Sequence, residues 1–384
     1  MSSAGGAGLY LHVPFCSAIC PYCDFAVVAE NESRSQRYVS ALVAELALLT
    51  EEEFVFDTIY LGGGTPSALS GQQLGAILSA ARQELAVEEG AWLAMEVNPE
   101  DVDPASLDEW RGLGVNMLSL GVQSFQEEEL RFLGRRHSPA DAERAVRAAV
   151  AAGFDIISVD LIFGLPGQQP GQLRDSIRKL AALEPQHVSC YQLTVHEGTP
   201  FHRRSLQGSL RELGESSQGE LFELVHSELA TAGYPAYEVS NFAKTEAFRS
   251  RHNQKYWDHS PYLGAGLAAH SFSGRRRWWN EADFEKYCSR VEQGERPLAG
   301  SEELDDAQLA LEAVMLGLRC AAGLDLERLR VKYGVKLLEL NAALIEGYVE
   351  DGVAEAEVDE HLRLTPRGLA VADAVVRSLD LGFD

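Results

Sequence analysis

Short apolar runs alternate with longer amphipathic stretches throughout the first 235 residues of the chain. The short runs are rich in Val, Ile, Leu and aromatic residues, which favours β-strands at residues 9–15, 58–61, 92–97, 117–122, 155–163 and 187–195. The longer stretches repeat apolar residues at helical spacing, which predicts helices at residues 38–49, 72–85, 140–152, 172–183 and 219–232. Strands that alternate with helices form parallel sheets, because parallel neighbours require a crossover connection. The chain is therefore predicted to be an α/β protein.

Polar or glycine-rich sequence occurs at the carboxyl end of each predicted strand. These segments are Cys16-Ser-Ala-Ile-Cys20-Pro-Tyr-Cys23, Gly62-Gly63-Gly64-Thr65-Pro66, Glu96-Val97-Asn98, Gln123-Ser124, Asp160, and Gln192 with Thr194. In a barrel of parallel strands, the loops at these ends converge on one mouth, where ligands bind. We therefore predict a partial, TIM-like (β/α)6 barrel for residues 1–235, in preference to an open doubly wound sheet.

The alternation ends near residue 235. Residues 236–300 contain three of the five tryptophans and the basic run Arg275-Arg276-Arg277, and we interpret them as an aromatic and basic connecting region. Residues 301–384 carry three predicted helices, at 307–319, 325–333 and 336–350, then two short strands around 353–356 and 362–364 and a closing helix from Pro366. This order predicts a small C-terminal α+β domain of winged-helix type.

Charge and apolar patterning exclude several classes of protein. The formal net charge is −25, and residues 301–384 alone carry 8 basic and 18 acidic side chains. Because phosphate contacts require clustered Lys and Arg, we expect no nucleic acid as a partner, even for the winged-helix-like domain. No run approaches the roughly 20 apolar residues of a membrane helix, and the amino-terminal residues lack a secretory pattern. We therefore expect no integral membrane segment and a cytoplasmic location.

Three of the six cysteines lie within eight residues, at Cys16, Cys20 and Cys23. Three thiolates are one ligand short of a closed structural zinc site, but they hold a cubane iron–sulfur cluster while leaving one iron with an open position. The residues alone leave two alternatives open. One is a zinc loop completed by a distant ligand such as His12 or His137, and the other is a set of buried thiols without a metal.

This arrangement resembles the radical S-adenosylmethionine superfamily, whose motif is Cys-x3-Cys-x-aromatic-Cys, and Tyr22 stands at the aromatic position. The resemblance implies that Cys16, Cys20 and Cys23 bind a [4Fe-4S] cluster, and that the amino and carboxylate groups of S-adenosylmethionine chelate its fourth iron. It also implies that one electron from the reduced cluster cleaves the sulfonium to methionine and a 5′-deoxyadenosyl radical. Such chemistry requires an electron donor as a partner.

A narrower resemblance, over most of residues 8–200 and the terminal module, is to the oxygen-independent coproporphyrinogen III oxidase-like group. Beyond the cysteines, it implies cofactor contacts at Tyr10, Tyr22, Gly63, Gly64, Thr65, Glu96, Gln123, Arg135 and Asp160. These residue types suit such a ligand, because glycine lets the backbone approach closely. The carboxylates, the amide and the guanidinium can pair with ammonium, hydroxyl and carboxylate groups.

Two departures from the oxidases of this group bear on function. The oxidases carry a fourth cysteine two residues after the third, where this sequence has Phe25, and a long amino-terminal extension, where only nine residues precede Tyr10. Both features resemble the haem chaperones of the same group. The run His252-Asn253-Gln254-Lys255-Tyr256-Trp257 also matches their His-Asn-x-x-Tyr-Trp motif, which is associated with haem binding.

The sequence is therefore interpreted as a haem chaperone on a radical S-adenosylmethionine scaffold, which binds haem and passes it to an acceptor protein. A neutral imidazole is a good axial ligand of haem iron, and this makes His252 the leading haem-binding candidate. The alternative for the motif is that His252 and Asn253 only satisfy local backbone groups while Tyr256 and Trp257 pack in the core. The rival function is radical oxidative decarboxylation of coproporphyrinogen III propionates, against which Phe25 argues. A third hypothesis is that the terminal module recruits a protein partner while the barrel acts as a sensor.

Overall fold

A computed structural model describes residues 6–50, 52–355 and 360–383. The strands are β1 (Ala7–Val13), β2 (Phe15–Cys16), β3 (Val28–Ala29), β4 (Val55–Gly63), β5 (Ala86–Val97), β6 (Met117–Gln123), β7 (Ile156–Phe163), β8 (His187–Gln192), β9 (Asn241–Ala243), β10 (Tyr262–Ala265), β11 (His270–Ser273), β12 (Arg276–Asn280), β13 (Leu298–Glu303), β14 (Leu324–Asp325) and β15 (His361–Leu362). Eleven of them form one sheet, in the order β13-β12-β11-β10-β1-β4-β5-β6-β7-β8-β9.

The α-helices are α1 (Glu32–Leu48), α2 (Gly71–Glu84), α3 (Pro104–Gly112), α4 (Glu127–Phe132), α5 (Pro139–Ala152), α6 (Pro170–Ala182), α7 (Pro200–Leu206), α8 (Glu215–Thr231), α9 (Arg251–Trp257), α10 (Phe284–Glu292), α11 (Asp306–Gly317), α12 (Leu326–Tyr333), α13 (Leu337–Leu340), α14 (Ala342–Glu350), α15 (Pro366–Leu369) and α16 (Ala372–Ser378). Capping boxes begin α2, α3, α5 and α11, where a Ser or Asp side chain accepts a hydrogen bond from the backbone three residues on.

Six strands, β1 and β4 to β8, run parallel and confirm the predicted partial barrel. Each predicted strand overlaps one of them, and the five predicted helices overlap α1, α2, α5, α6 and α8. The helix α1 begins earlier than predicted, because the Asn31 side chain accepts hydrogen bonds from the backbone N–H groups of Ser33 and Arg34 and caps it.

Alternate side chains of the six parallel strands face two different environments. One face is apolar and packs beneath the helices, with fully buried Leu9, Leu11, Ile59, Leu61, Leu118, Leu120, Val159 and Val188. The other face lines the barrel interior and carries Tyr10, Tyr60, Glu96, Ser119, Asp160 and Ser189. Because successive residues of a strand point to opposite sides, the same six strands build both the core and a polar interior.

Residues 236–300 extend the barrel sheet. The strand β10 pairs in parallel with the outer edge of β1, from Gly8 opposite Tyr262 to Leu11 opposite Ala265. The strands β11, β12 and β13 then continue the sheet in antiparallel order, and β9 adds an antiparallel strand beside β8 at the far edge. Many of its buried apolar side chains, such as Leu263, Trp278 and Tyr287, belong to the same core as the barrel, whereas Phe272 packs with Leu304 and Leu309.

The C-terminal helices α11 to α16 surround a separate apolar core that includes Val314, Leu318, Leu329 and Leu362. The predicted helix 336–350 is divided at Asn341, whose side-chain amide donates to the Leu337 carbonyl at 2.9 Å. Of the predicted strands, 362–364 overlaps β15, which pairs with β14, whereas 353–356 supplies one bridge and ends outside the described residues. None of the helices described is long and apolar enough to cross a membrane.

A buried carboxylate joins α1 to the sheet extension. The Glu45 side chain is fully buried; its Oε1 accepts from Asn280 Nδ2 at 2.6 Å, and its Oε2 accepts from Gly266 N at 2.8 Å and Tyr287 OH at 2.6 Å. Burial raises the pKa of Glu45 to about 7, while the three donors oppose the rise. This carboxylate therefore satisfies three buried donors from the extension at once.

The Glu45→Ala variant is expected to lose about 3 kcal/mol or more of unfolding free energy, because three buried donors lose their acceptor. Chemical denaturation followed by circular dichroism measures the loss. Gln36→Ala, on the exposed face of the same helix, is the matched control and is expected to stay within about 0.5 kcal/mol of the parent protein. Equal losses in the two variants would contradict the role given to Glu45.

Candidate functional site

The carboxyl ends of the parallel strands surround a cavity of about 460 Å³. It extends through the interior toward the amino ends of the strands, where Met117, His187 and Asn253 line it. Most of the predicted site residues lie together on its walls, namely Cys16, Cys20, Tyr22, Cys23, Gly63, Gly64, Thr65, Glu96, Gln123, Arg135 and Asp160. Tyr10 and His252 lie beside the cavity without lining it.

The three clustered cysteines are half-buried free thiols on one wall of this cavity. Two donors point at their sulfurs: Thr65 Oγ1 lies 3.6 Å from Cys16 Sγ, and Arg135 Nη1 lies 3.6 Å from Cys20 Sγ. Burial raises the pKa of the Cys16 thiol and raises that of Cys23 to about 11. Burial therefore favours the protonated thiols of Cys16 and Cys23, and a bound metal centre would hold them as thiolates.

Three thiols on one wall of the cavity fit an iron–sulfur cluster. Across residues 6–50, 52–355 and 360–383, no three His, Cys, Asp or Glu side chains converge on a position for one ion. A cubane spreads its cysteine ligands over separate irons, so its thiolates line a wall instead of meeting at a point. The distant zinc ligands left open by the sequence are also engaged, because both ring nitrogens of His12 and of His137 are hydrogen-bonded within the protein.

The glycine run at the end of β4 packs against the end of β1, just before the cysteine loop, with no room for side chains. Gly63 has a φ of +111°, and a Cβ there would lie 2.4 Å from the His12 ring. A Cβ on Gly64 would lie 2.7 Å from the Pro14 carbonyl carbon. The Gly64 N–H donates to the Val13 carbonyl at 2.8 Å, so the run is fixed at the end of β1, where the cysteine loop begins.

Two partly buried carboxylates face the cavity. Glu96 accepts from Tyr60 OH at 2.9 Å and from the Gly63 N–H at 3.1 Å, and burial raises its pKa to about 7. Asp160 accepts from Ser119 Oγ at 2.9 Å, and burial raises its pKa to about 6. A cationic or hydroxyl-bearing ligand would favour the ionised form of both groups and so oppose the rise of their pKa.

Arg135 supplies positive charge between the carboxylates and the cysteine loop. Its Nη2 donates to Asn98 Oδ1 at 2.5 Å and to the Gly121 carbonyl at 2.8 Å, while its Nε is buried without a hydrogen-bond partner among the described residues. Gln123 ends β6 with a φ of 68°, a conformation that few non-glycine residues adopt. An orphaned donor and a strained backbone in one cavity are features of a ligand site.

The two tyrosines of the predicted site differ in position. Tyr22 lies between the cysteines and lines the cavity, with its ring 6.3 Å from that of Phe201. Tyr10 lies one layer behind, where its hydroxyl is 3.1 Å from His12 Nδ1 and its ring stacks on Tyr60 at 6.2 Å. Tyr10 therefore contacts side chains next to the cavity but does not line the cavity itself in this structure.

His252 lies at the opposite, amino-terminal end of the barrel interior. It is 1% exposed, with Nδ1 at 3.0 Å from Thr58 Oγ1 and Nε2 at 2.9 Å from Tyr256 OH. The ring packs against Gly8, where a Cβ would lie 3.0 Å from it. Both partners are side chains and Thr58 is remote in sequence, so these are not the local backbone contacts of the packing alternative. Ligation of haem iron by His252 requires that one of the two hydrogen bonds break. Its role as a haem ligand stays a prediction.

Several residues that line this cavity are not among the site residues predicted from the sequence. Asn98 is not among the predicted site residues, although its side chain connects Arg135 to Thr65 Oγ1, which accepts from its amide at 3.1 Å. His187 bridges Ser158 Oγ and Tyr237 OH, each at 2.8 Å. The position of Asn98 at a strand's carboxyl end is a sequence signal that could have identified it. His187 has no such signal, because its hydrogen-bond partners are remote in sequence.

Two family models match the chain. The Radical SAM superfamily matches residues 10–180, and the HemN C-terminal domain matches residues 304–371. The solved structure of coproporphyrinogen III oxidase (HemN) from Escherichia coli shares the fold, with a TM-score of 0.82 over 97% of this chain and 89% of that one, at 21% identity.

Curated relatives match over nearly the whole length. The chain is 37% identical to the heme chaperone HemW of Mycobacterium tuberculosis, over 97% of this chain and 94% of the relative. It is 33% identical to the heme chaperone HemW of Bacillus subtilis, over 90% and 91%, and 37% identical to that of Escherichia coli, over 68% and 69%. With this identity over such shares of both chains, the protein belongs to the HemW family, on a radical SAM scaffold.

Proposed function

We propose that this protein binds haem and passes it to an acceptor protein, on a barrel that holds a [4Fe-4S] cluster and S-adenosylmethionine. The observation that carries the proposal is the end-to-end likeness to relatives named heme chaperone HemW, at 37% identity over 97% of the chain. The acceptor would be a haem-binding protein, and the electron donor a one-electron reductant. Free cysteines at the cavity favour the reducing cytosol as the place of action.

Phe25 supports this function over the oxidase. It stands two residues after Cys23, its side chain is 59% exposed, and it lines the cavity. An apolar ring therefore occupies the position of the fourth cysteine in the oxidases that the sequence resembles. A phenyl ring can neither ligate iron nor exchange protons, so it cannot replace that thiol.

Each side chain at the barrel mouth has a role in this proposal. Cys16, Cys20 and Cys23 would hold the cluster, which supplies one electron to a bound sulfonium ligand. Glu96 would accept a hydrogen bond from an ammonium or hydroxyl group. Gln123, Arg135 and Asp160 would pair with carboxylate and hydroxyl groups, and the backbone of Gly63, Gly64 and Thr65 would pack closely against the ligand.

The iron content of reconstituted protein tests the cluster assignment. After anaerobic reconstitution, we expect about four irons per chain in the parent protein and a loss of most of that iron in Cys20→Ala, because a three-thiolate site loses one anchor. Cys320→Ala, which removes a half-buried thiol outside the cavity, is the control and should keep the parent iron content. Unchanged iron in Cys20→Ala would refute the assignment.

An activity assay separates the chaperone from the oxidase. Reconstituted protein is incubated with dithionite, S-adenosylmethionine and coproporphyrinogen III, and porphyrin fluorescence is read after oxidation. We expect no protoporphyrinogen, because Phe25 replaces the cysteine of the oxidases. A genuine oxygen-independent oxidase run in parallel shows that the assay works, and product from this protein would overturn the chaperone proposal.

The raised pKa of Glu96 predicts a pH dependence of cofactor binding. A cationic ligand prefers the ionised carboxylate, so the affinity for S-adenosylmethionine should rise by up to about tenfold per pH unit as the pH approaches about 7 and level off above it. Anaerobic calorimetry on the parent protein and Glu96→Gln measures this. Titration of the ligand's own amino group affects both proteins equally, so parallel curves would exclude Glu96 from the site.

A further inference from the structure

A haem-binding protein needs an iron ligand that haem can reach, and most of the ten histidines of the chain are engaged. Five are buried, namely His12, His137, His187, His226 and His252. Three of the others have a polar neighbour: His196 lies 3.2 Å from Asp24, His259 lies 3.2 Å from Glu312, and His202 accepts from the Gly198 N–H. His361 lies in β15 of the C-terminal domain, away from the barrel.

His270 differs from all of these. It begins β11 and is exposed, and no group in the part of the chain that the structure describes forms a hydrogen bond with either ring nitrogen. Partial burial and the nearby Arg277 guanidinium lower the pKa of His270. The ring is therefore neutral near pH 7, which is the form that ligates iron.

A tryptophan provides a flat surface beside this imidazole. His270 is paired with Trp279 across β11 and β12, and the two rings stack with centroids 5.8 Å apart and planes 24° apart. The indole leans over Gly300 of β13, where a Cβ would lie 2.5 Å from it. Because imidazole coordinates iron in the plane of its own ring, a porphyrin on His270 would stand across the indole and meet its edge, an edge-to-face arrangement that aromatic rings favour.

Strand pairing places this surface beside the cofactor cavity. Phe272, two residues after His270, is paired with Tyr262, and Tyr262 is paired with Gly8 on the interior face that also carries Tyr10. His270 thus lies on the continuation of the barrel's inner face. The strand β10 is parallel to β1, so the turn before His270 lies at the end of the sheet that holds the cysteine loop. Two strand spacings, or about 10 Å, separate β11 from β1.

We propose that His270 is an axial ligand of haem iron and that Trp279 packs against the porphyrin, at the exposed start of β11 on the continuation of the barrel's inner face. This inference rests on the proposed haem-binding function and names its site. Ligation by His270 breaks no hydrogen bond described in the structure, whereas ligation by His252 costs one of its two buried bonds. Haem at His270 would also lie within reach of the barrel mouth.

Haemin titration of the full-length protein, followed by the Soret band, tests this site. We expect His270→Ala to bind haemin at least about tenfold more weakly and to lose the spectrum of imidazole-ligated iron. His202→Ala, which removes another imidazole at the surface, is the matched control and should behave like the parent protein. Because His270 is exposed, its variants are expected to fold, which circular dichroism checks.

A chemical rescue distinguishes ligation from a structural effect. His270→Gly should regain the parent spectrum when free imidazole is added, and His252→Gln should keep it without rescue. If the parent protein and His270→Ala bind haemin with the same affinity and spectrum, or if only His252→Gln loses the spectrum, the assignment of His270 is overturned while haem binding stands. If the parent protein binds no haemin, the proposed function itself fails.

Discussion

The pairing of β1 with β4 on one side and with β10 on the other is the constraint on which the rest of the structure depends. Because β1 ends at Val13, the cysteine loop starts at the barrel mouth, and the Gly64 N–H that donates to the Val13 carbonyl fixes the glycine run beside it. Gly8, near the other end of the same strand, leaves room for the His252 ring. One strand therefore positions the cysteine loop at one end of the interior and the helix α9 at the other.

The polar interior makes this barrel a binding site and also costs stability. Burying an ionised carboxylate carries a desolvation penalty of roughly several kcal/mol, and the raised pKa values of Glu96 and Asp160 are its signature. Each is partly compensated by neutral donors, Tyr60 for Glu96 and Ser119 for Asp160. Full compensation requires a ligand with positive charge or hydroxyl groups, so the same side chains that weaken the apo protein favour occupancy by such a ligand.

The sheet extension covers the open side of the partial barrel. A six-stranded partial barrel leaves the edge of β1 unpaired, and β10 to β13 cover it by continuing the sheet. The extension carries the interior face outward, and the proposed haem ligand His270 lies on it. Glu45 connects this extension to α1 through Asn280 and Tyr287, which makes the added strands part of one core with the barrel.

The sequence by itself determined the alternation of strands and helices, the three-cysteine loop and the chemistry at each strand's carboxyl end, because these depend on residues close together in the chain. It also indicated the family from those local motifs. Only the tertiary structure decided that Gly8 pairs with Tyr262, that His252 uses both ring nitrogens inside the barrel and that Asn98 connects Arg135 to Thr65. Such contacts join residues tens to hundreds of positions apart, and periodicity carries no information about which distant strand or side chain completes a pair. Local spacing therefore specifies elements and motifs, whereas burial and hydrogen-bond partners follow from how the elements pack.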